Sequence, residues 1–166
     1  IFENLAAIQK QFHHLVRIVP QVGRVIYPAA ERALHEVIEM GCWSEQARLG
    51  HGSDADTESN YSWDYRLVEP SGSHFQVLRE QQLIAEVEWS LIGTHNVQNA
   101  LAAISAAEDV GVKPALACEA LQGFAGIKRR MELRDTINNI AIYDDFAHHP
   151  TAITTTLEGL RKQVGN

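Results

Sequence analysis

Ile140-Ala141-Ile142-Tyr143-Asp144-Asp145-Phe146-Ala147-His148-His149-Pro150-Thr151 decides the fold. An apolar run gives way to two acids and two imidazoles, and then to a helical pattern that continues to Val164. That order reads as strand, loop, helix, the repeating unit of an α/β protein. In open α/β sheets, ligands collect in the crevice at the carboxyl ends of strands. Pro150 suits a first helical position, which leaves His149 as a poor N-cap. Helix stability alone therefore does not account for this loop.

Working outward, residues 131 to 143 read as two strands joined at Asn138-Asn139, a hairpin signal. Before them, Ala115 to Leu121 reads as a helix opened by Pro114 and closed near Gly123, and alanine-rich Val97 to Val110 as another, stopped by Gly111. Tyr61 to Val68, Phe75 to Leu78 and Leu83 to Trp89 read as a β-meander. It reverses at Glu69-Pro70-Ser71-Gly72-Ser73 and alternates at Trp63, Tyr65 and Leu67. His51 to Asn60 is polar and reads as a loop. Residues 1 to 16 repeat apolar positions at helical spacing. Val25-Ile26-Tyr27 is a short strand ended by Pro28, Arg32 to Met40 a helix stopped by Gly41, and Ala47-Arg48-Leu49 a further short strand.

The 166 residues, 45% hydrophobic, suffice for one substantial domain or for one domain and part of another. A net charge of -7 argues against a nucleic-acid partner or an anionic membrane surface, and no apolar run has the length of a membrane span. Cys42 and Cys118 lack metal-ligand spacing and read as reduced thiols of a cytoplasmic protein. The chain opens at Ile1 inside a helical pattern and stops at Asn166 soon after its last helix, so it is expected to be an internal piece of a longer protein.

Three constellations could carry chemistry. In Gly93-Thr94-His95-Asn96-Val97-Gln98-Asn99-Ala100, Asn96 and Asn99 share a helix face, and carboxamides suit a purine edge. The bland alternative is that Thr94 or Asn96 caps the helix. In Gly123-Phe124-Ala125-Gly126-Ile127-Lys128-Arg129-Arg130, a glycine-spaced turn delivers three cations, and arginine forks fit phosphate oxygens. The alternative is a solvated basic patch, and neither this segment nor any other here is a Walker A loop. In the Asp144 to His149 loop, the acids could accept from ribose hydroxyls or hold a cation, and the imidazoles could orient phosphate or bind metal; the bland alternative is that Asp144 or Asp145 caps a turn and the histidines are exposed. A metal-dependent hydrolase using Asp144, Asp145, His148 and His149 is thus a competing reading, as is a non-catalytic nucleotide-binding module. His13-His14 and the aromatics Trp63, Tyr65 and Trp89 read as packing or surface residues.

Taken in order, G-x-H-N-x-x-N-A, F-x-G-x-x-R-R and D-D-F-A-H-H-P resemble the Mur ligase family, the ATP-dependent enzymes that build peptidoglycan precursors. The resemblance covers essentially the whole chain. It implies an α/β fold in which residues 1–124 are the later part of a central ATPase domain and residues 125–166 the start of a Rossmann-like C-terminal domain, with the seam near Phe124 to Gly126. The P-loop lysine and the metal ligands would lie upstream, so no metal ligand and no certain catalytic residue is expected in this chain, and the chain alone is expected to be inactive. D-D-F-A-H-H-P resembles the subgroup acting on UDP-N-acetylmuramate. Asn4 to Arg17 and Gly41-Cys42-Trp43-Ser44-Glu45 are similar to its recycling branch, which joins that nucleotide sugar to L-alanyl-γ-D-glutamyl-meso-diaminopimelate through an acyl phosphate. The runner-up is the branch that adds L-alanine. The resemblance further implies ATP and Mg2+. Asn96 and Asn99 would meet adenine with His95 nearby, and Arg129 and Arg130 would reach ribose and phosphate. Asp145 would hold the ribose hydroxyls, Phe146 would lie against the base, and His148 and His149 would sit near the phosphates or the closing interface. Thr94 departs from the longer polar residue of many relatives.

Overall fold

The computed structural model describes residues 2–52 and 60–165. Most of the polar stretch from His51 to Asn60 lies outside the described residues. The elements run α1 (Leu5–Ile18), β1 (Arg24–Pro28), α2 (Arg32–Glu39), β2 (Glu45–Leu49), β3 (Trp63–Leu67), β4 (His74–Arg79), β5 (Gln82–Glu88), α3 (Thr94–Asp109), α4 (Pro114–Gln122), β6 (Glu132–Ile137), β7 (Ile140–Asp144) and α5 (Pro150–Val164). The α/β reading holds: helices flank a mixed sheet of order β1-β2-β3-β4-β5, and β6-β7 form a separate hairpin.

Parallel and antiparallel pairing divide that sheet. β1 runs parallel to β2 in the register Arg24↔Glu45 to Pro28↔Leu49, and β3 joins β2 in parallel only at Leu49↔Trp63. From β3 to β5 the strands are an antiparallel meander, as their alternation predicts. Arg24 locks the parallel edge by reaching Glu45 at 2.7 Å and Asp109 of α3 at 2.6 Å.

The core forms where the meander meets α3 and α4. Trp63, Phe75, Val77 and Val87 are buried against Val97, Leu101, Ile104 and Cys118. Phe75 meets Trp89 edge to face at 5.3 Å, and the Trp89 indole donates to the Gly72 carbonyl at 3.0 Å. Trp63, Tyr65 and Trp89 are thus packing residues. Burial pushes the Cys118 thiol up to about 11, which keeps it protonated and unreactive in the native state.

One polar residue breaks the alternation of β3. Asp64 is buried because its Oδ1 accepts from the N–H groups of Gly52 and Tyr65. A side chain at Gly50 would collide with that carboxyl group, so the chain leaving β2 must be glycine there.

Helix boundaries follow local chemistry. Asn4 caps α1 by accepting from Ala7 N–H at 2.9 Å, so the helix begins at Leu5 and not at the chain start. His13 packs toward the Gly41 carbonyl at 3.1 Å, while His14 is exposed. Asn138 and Asn139 both take the left-handed conformation, with φ of 50° and 65°, as a tight hairpin requires. Among the described residues no helix is long and apolar enough to cross a membrane.

Candidate functional site

The first wall of the site is the opening turn of α3. The helix begins at Thr94, three positions before the periodicity shows it, because Gly93 turns the chain at φ +92°. No side chain caps this end, so neither Thr94 nor Asn96 has the capping role. Asn96 instead donates from Nδ2 to the Ile92 carbonyl at 2.7 Å, which fixes the orientation of its amide. Asn99, on the same face, is exposed.

The second wall is the linker after α4. Lys128, Arg129 and Arg130 are all exposed, as a basic patch would be. Their backbone, however, is strongly contoured, with φ of +87° at Gly126, +60° at Arg129 and +50° at Met131. Left-handed conformations cost a non-glycine residue about 1–2 kcal/mol each. Hydrogen bonds hold them here. Arg129 N–H donates to Glu132 Oε2 at 2.8 Å, and Met131 N–H to Asp145 Oδ2 at 2.8 Å.

The third wall is the loop between β7 and α5. Asp145 organises it, accepting from Ala147 N–H through Oδ1 at 2.7 Å while Oδ2 takes Met131. Phe146 N–H donates to the Arg129 carbonyl at 2.8 Å. Its ring lies under the guanidinium groups of Arg129 and Arg130, whose Cζ atoms are 5.1 and 5.7 Å from the ring centre. His148 contacts the same ring edge to face, and its Nδ1 lies 3.0 Å from the Phe146 carbonyl. His149 is the N-cap of α5 without a side-chain capping bond, and Pro150 opens the helix.

A cleft of about 430 Å3 opens between these walls, and His95, Asn96, Asn99, Arg130 and Asp145 line it together. A second cavity of about 500 Å3 shares Leu91, Asn96, Gly126, Ile127, Arg130 and Met131, so these residues form a common partition. Arg129, Phe146, His148 and His149 line neither. Leu91 and Met131, which line both, carry no polar signal that marks them in the sequence. Ala152, Thr155 and Thr156 also line the cleft. Their spacing marks one face of α5 and could have been noticed.

His95 carries the clearest electrostatic signature. Burial lowers its pKa below the ordinary 6.5; Asp145 opposes that shift and Arg130 reinforces it. Its Nδ1 is buried without a partner. The ring is therefore neutral at pH 7. Because the folded value lies below the unfolded one, the unfolded chain takes the proton first. The stability contribution is intact above about pH 6.5 and is lost as pH falls through the window below it. In an NMR titration of His95, Arg130→Met is expected to raise the midpoint and Asp145→Asn to lower it. Unmoved midpoints would show that the three side chains do not share the cleft.

The competing metal reading finds no geometry. Among the described residues, no group of three or more His, Cys, Asp and Glu side chains is gathered to hold a metal ion. Asp145 accepts one backbone N–H on each oxygen, and Asp144 faces Arg129 at 3.8 Å.

The element order and the paired family matches define the class of protein. The Mur ligase middle domain matches residues 1–107, and the Mur ligase glutamate ligase domain matches residues 129–166. The chain belongs to the Mur ligase family. It is 48% identical to the UDP-N-acetylmuramate--L-alanyl-gamma-D-glutamyl-meso-2,6-diaminoheptandioate ligase of Escherichia coli K12, over 99% of this chain and 34% of that protein. It is 44% identical to the protein of the same name from Haemophilus influenzae, over 99% of this chain and 35% of that protein. The crystal structure of a murein peptide ligase from Psychrobacter arcticus 273-4 superposes with a TM-score of 0.74 at 45% identity, covering all of this chain and 34% of that one. The chain thus spans about a third of the length of the relatives it matches.

Proposed function

We propose that the full-length protein carrying this chain is a cytoplasmic ATP-dependent ligase of peptidoglycan recycling. It joins UDP-N-acetylmuramate to the murein peptide L-alanyl-γ-D-glutamyl-meso-diaminopimelate through an acyl phosphate. The observation that carries this reading is the 48% identity, sustained across nearly the whole chain, to a relative named for that reaction. The cleft supports it independently. Its donor set of two carboxamides, a guanidinium and a carboxylate fits a mononucleotide better than an apolar ligand.

Bound ATP would supply the phosphoryl group that activates the muramate carboxylate. The residues of this chain bind and orient it. Asn96, already held by the Ile92 carbonyl, and Asn99 present amide edges to adenine, with neutral His95 beside them. Arg130 offers its fork to phosphate, and Asp145 retains acceptor capacity for ribose hydroxyls beyond the backbone N–H groups it already holds. Arg129, Phe146, His148 and His149 belong to the same lobe but line neither cavity, so Phe146 would reach the base, and the imidazoles the phosphates, only as the lobes close. The seam between residues 1–124 and 125–166 is placed near Phe124 to Gly126. The left-handed Gly126 and the family matches on either side support this. Closing two lobes over the nucleotide would exclude water from a reactive acyl group. The ligands of Mg2+ are assigned to parts of the protein outside this chain.

The test is turnover by the full-length protein with ATP, Mg2+ and UDP-N-acetylmuramate, offered either the tripeptide or L-alanine and read by mass spectrometry of the nucleotide-sugar product. A preference for the tripeptide is expected. Preference for L-alanine would move the protein to the other branch, and no ATP-dependent product with either would end the ligase reading.

A further inference from the structure

Arg129 and Arg130 are neighbours in sequence with different surroundings. Arg130 lines both cavities and Arg129 neither. Instead, Arg129 Nε lies 3.8 Å from Asp144 Oδ2, and its guanidinium stands over the Phe146 ring at 5.1 Å. The backbone repeats the attachment, since the Arg129 carbonyl accepts from Phe146 N–H and its own N–H donates to Glu132. The left-handed turn at Arg129, φ +60°, reverses the chain between the two side chains. Across the loop Asp144 faces Arg129 and Asp145 lines the cleft with Arg130, while the Phe146 ring between them stands against both guanidinium groups, closer to Arg129.

We propose that Arg129 is a positioning residue that does not touch the nucleotide. Through Asp144 and Phe146 it straps the linker to the β7–α5 loop and so holds Arg130 and Asp145 at the separation the ligand needs. The proposal rests on reading the cleft as the nucleotide site. Both members of the ion pair are partly exposed, so the strap is made of weak contacts whose loss loosens the site without dismantling it.

The experiment uses the full-length protein with Arg129→Met, Arg130→Met, Asp144→Asn and the Arg129→Met/Asp144→Asn double variant. Three quantities are read: calorimetric binding of a non-hydrolysable ATP analogue, kcat and KM for ATP, and amide exchange of residues 144–148 without nucleotide. Arg129→Met is expected to raise Kd and KM about three- to tenfold, the scale of an exposed cation–π contact plus a surface ion pair, and Asp144→Asn, which removes only the ion pair, about two- to fivefold. kcat should stay within about twofold, exchange across 144–148 should quicken, and the double variant should be no worse than Arg129→Met alone. Arg129→Lys, which keeps the ion pair, should recover part of the loss, and Arg130→Met should weaken binding further while quickening exchange less than Arg129→Met does, since it leaves the Asp144 pair and the closer ring contact in place. Arg129 would be a direct ligand, and the proposal overturned, if its Met variant were as severe as Arg130→Met with unaltered exchange, or additive with Asp144→Asn. Wild-type behaviour of Arg129→Met would overturn it equally. Failure of the underlying reading looks different: the unaltered protein would not bind the analogue, or Arg130→Met would leave binding intact.

Discussion

Replacing Arg130 by Met in the full-length protein is expected to weaken ATP-analogue binding roughly 10- to 100-fold, the scale of losing hydrogen bonds to a charged ligand at about 1.5–3 kcal/mol. Arg130 is the one side chain of the basic triplet that lines both cavities and also shifts the His95 titration. It is exposed, so thermal stability should change little. Arg130→Lys should recover only part of the affinity, because a point charge replaces a fork matched to phosphate oxygens. Calorimetry on the three proteins checks this, and unchanged affinity in the Met variant would remove Arg130 from the site.

Phe75→Ala is expected to cost about 3–5 kcal/mol of stability, the range for deleting a buried aromatic ring. Phe75 has 0% exposure, pairs edge to face with Trp89, and sits where the meander meets α3 and α4. Leu83, on the adjacent strand but 55% exposed, supplies the contrast, and its Ala variant should fall within about 0.5 kcal/mol of the parent. Denaturant unfolding followed by tryptophan fluorescence separates the two, since Trp63 and Trp89 are buried in that core. Equal shifts for both variants would show that the core lies elsewhere.

The elements with strong local signals were legible. Alternation at Trp63, Tyr65 and Leu67 located β3, Asn138-Asn139 located the β6–β7 turn, and Pro114 and Pro150 marked helix starts. Elements that depend on remote partners were not. Asp64 is buried on account of a backbone donor at Gly52, which alternation cannot foresee. Glu80 and Gln81 carry no glycine or asparagine, yet both adopt positive φ in the turn between β4 and β5, because pairing on either side holds them there. The first turn of α3 was invisible to periodicity because its polar residues face the cleft and not the core.

The same distinction applies to the site. Residue type singled out Asn96, Asn99, Arg130 and Asp145, but their spacing along the chain says nothing about convergence. That depends on the linker turns at Gly126, Arg129 and Met131, of which only the glycine is visible in sequence. Two adjacent arginines read as equals until the left-handed turn between them directs only one to the cavity. The apolar partition of Leu91 and Met131 has no polar signature at all.

The most direct measurement is a crystal structure of the full-length protein with a non-hydrolysable ATP analogue. One mononucleotide is expected, with its base at Asn96 and Asn99 and its ribose and phosphates within about 3 Å of Asp145 and Arg130. An analogue bound at a surface that excludes either pair would contradict it.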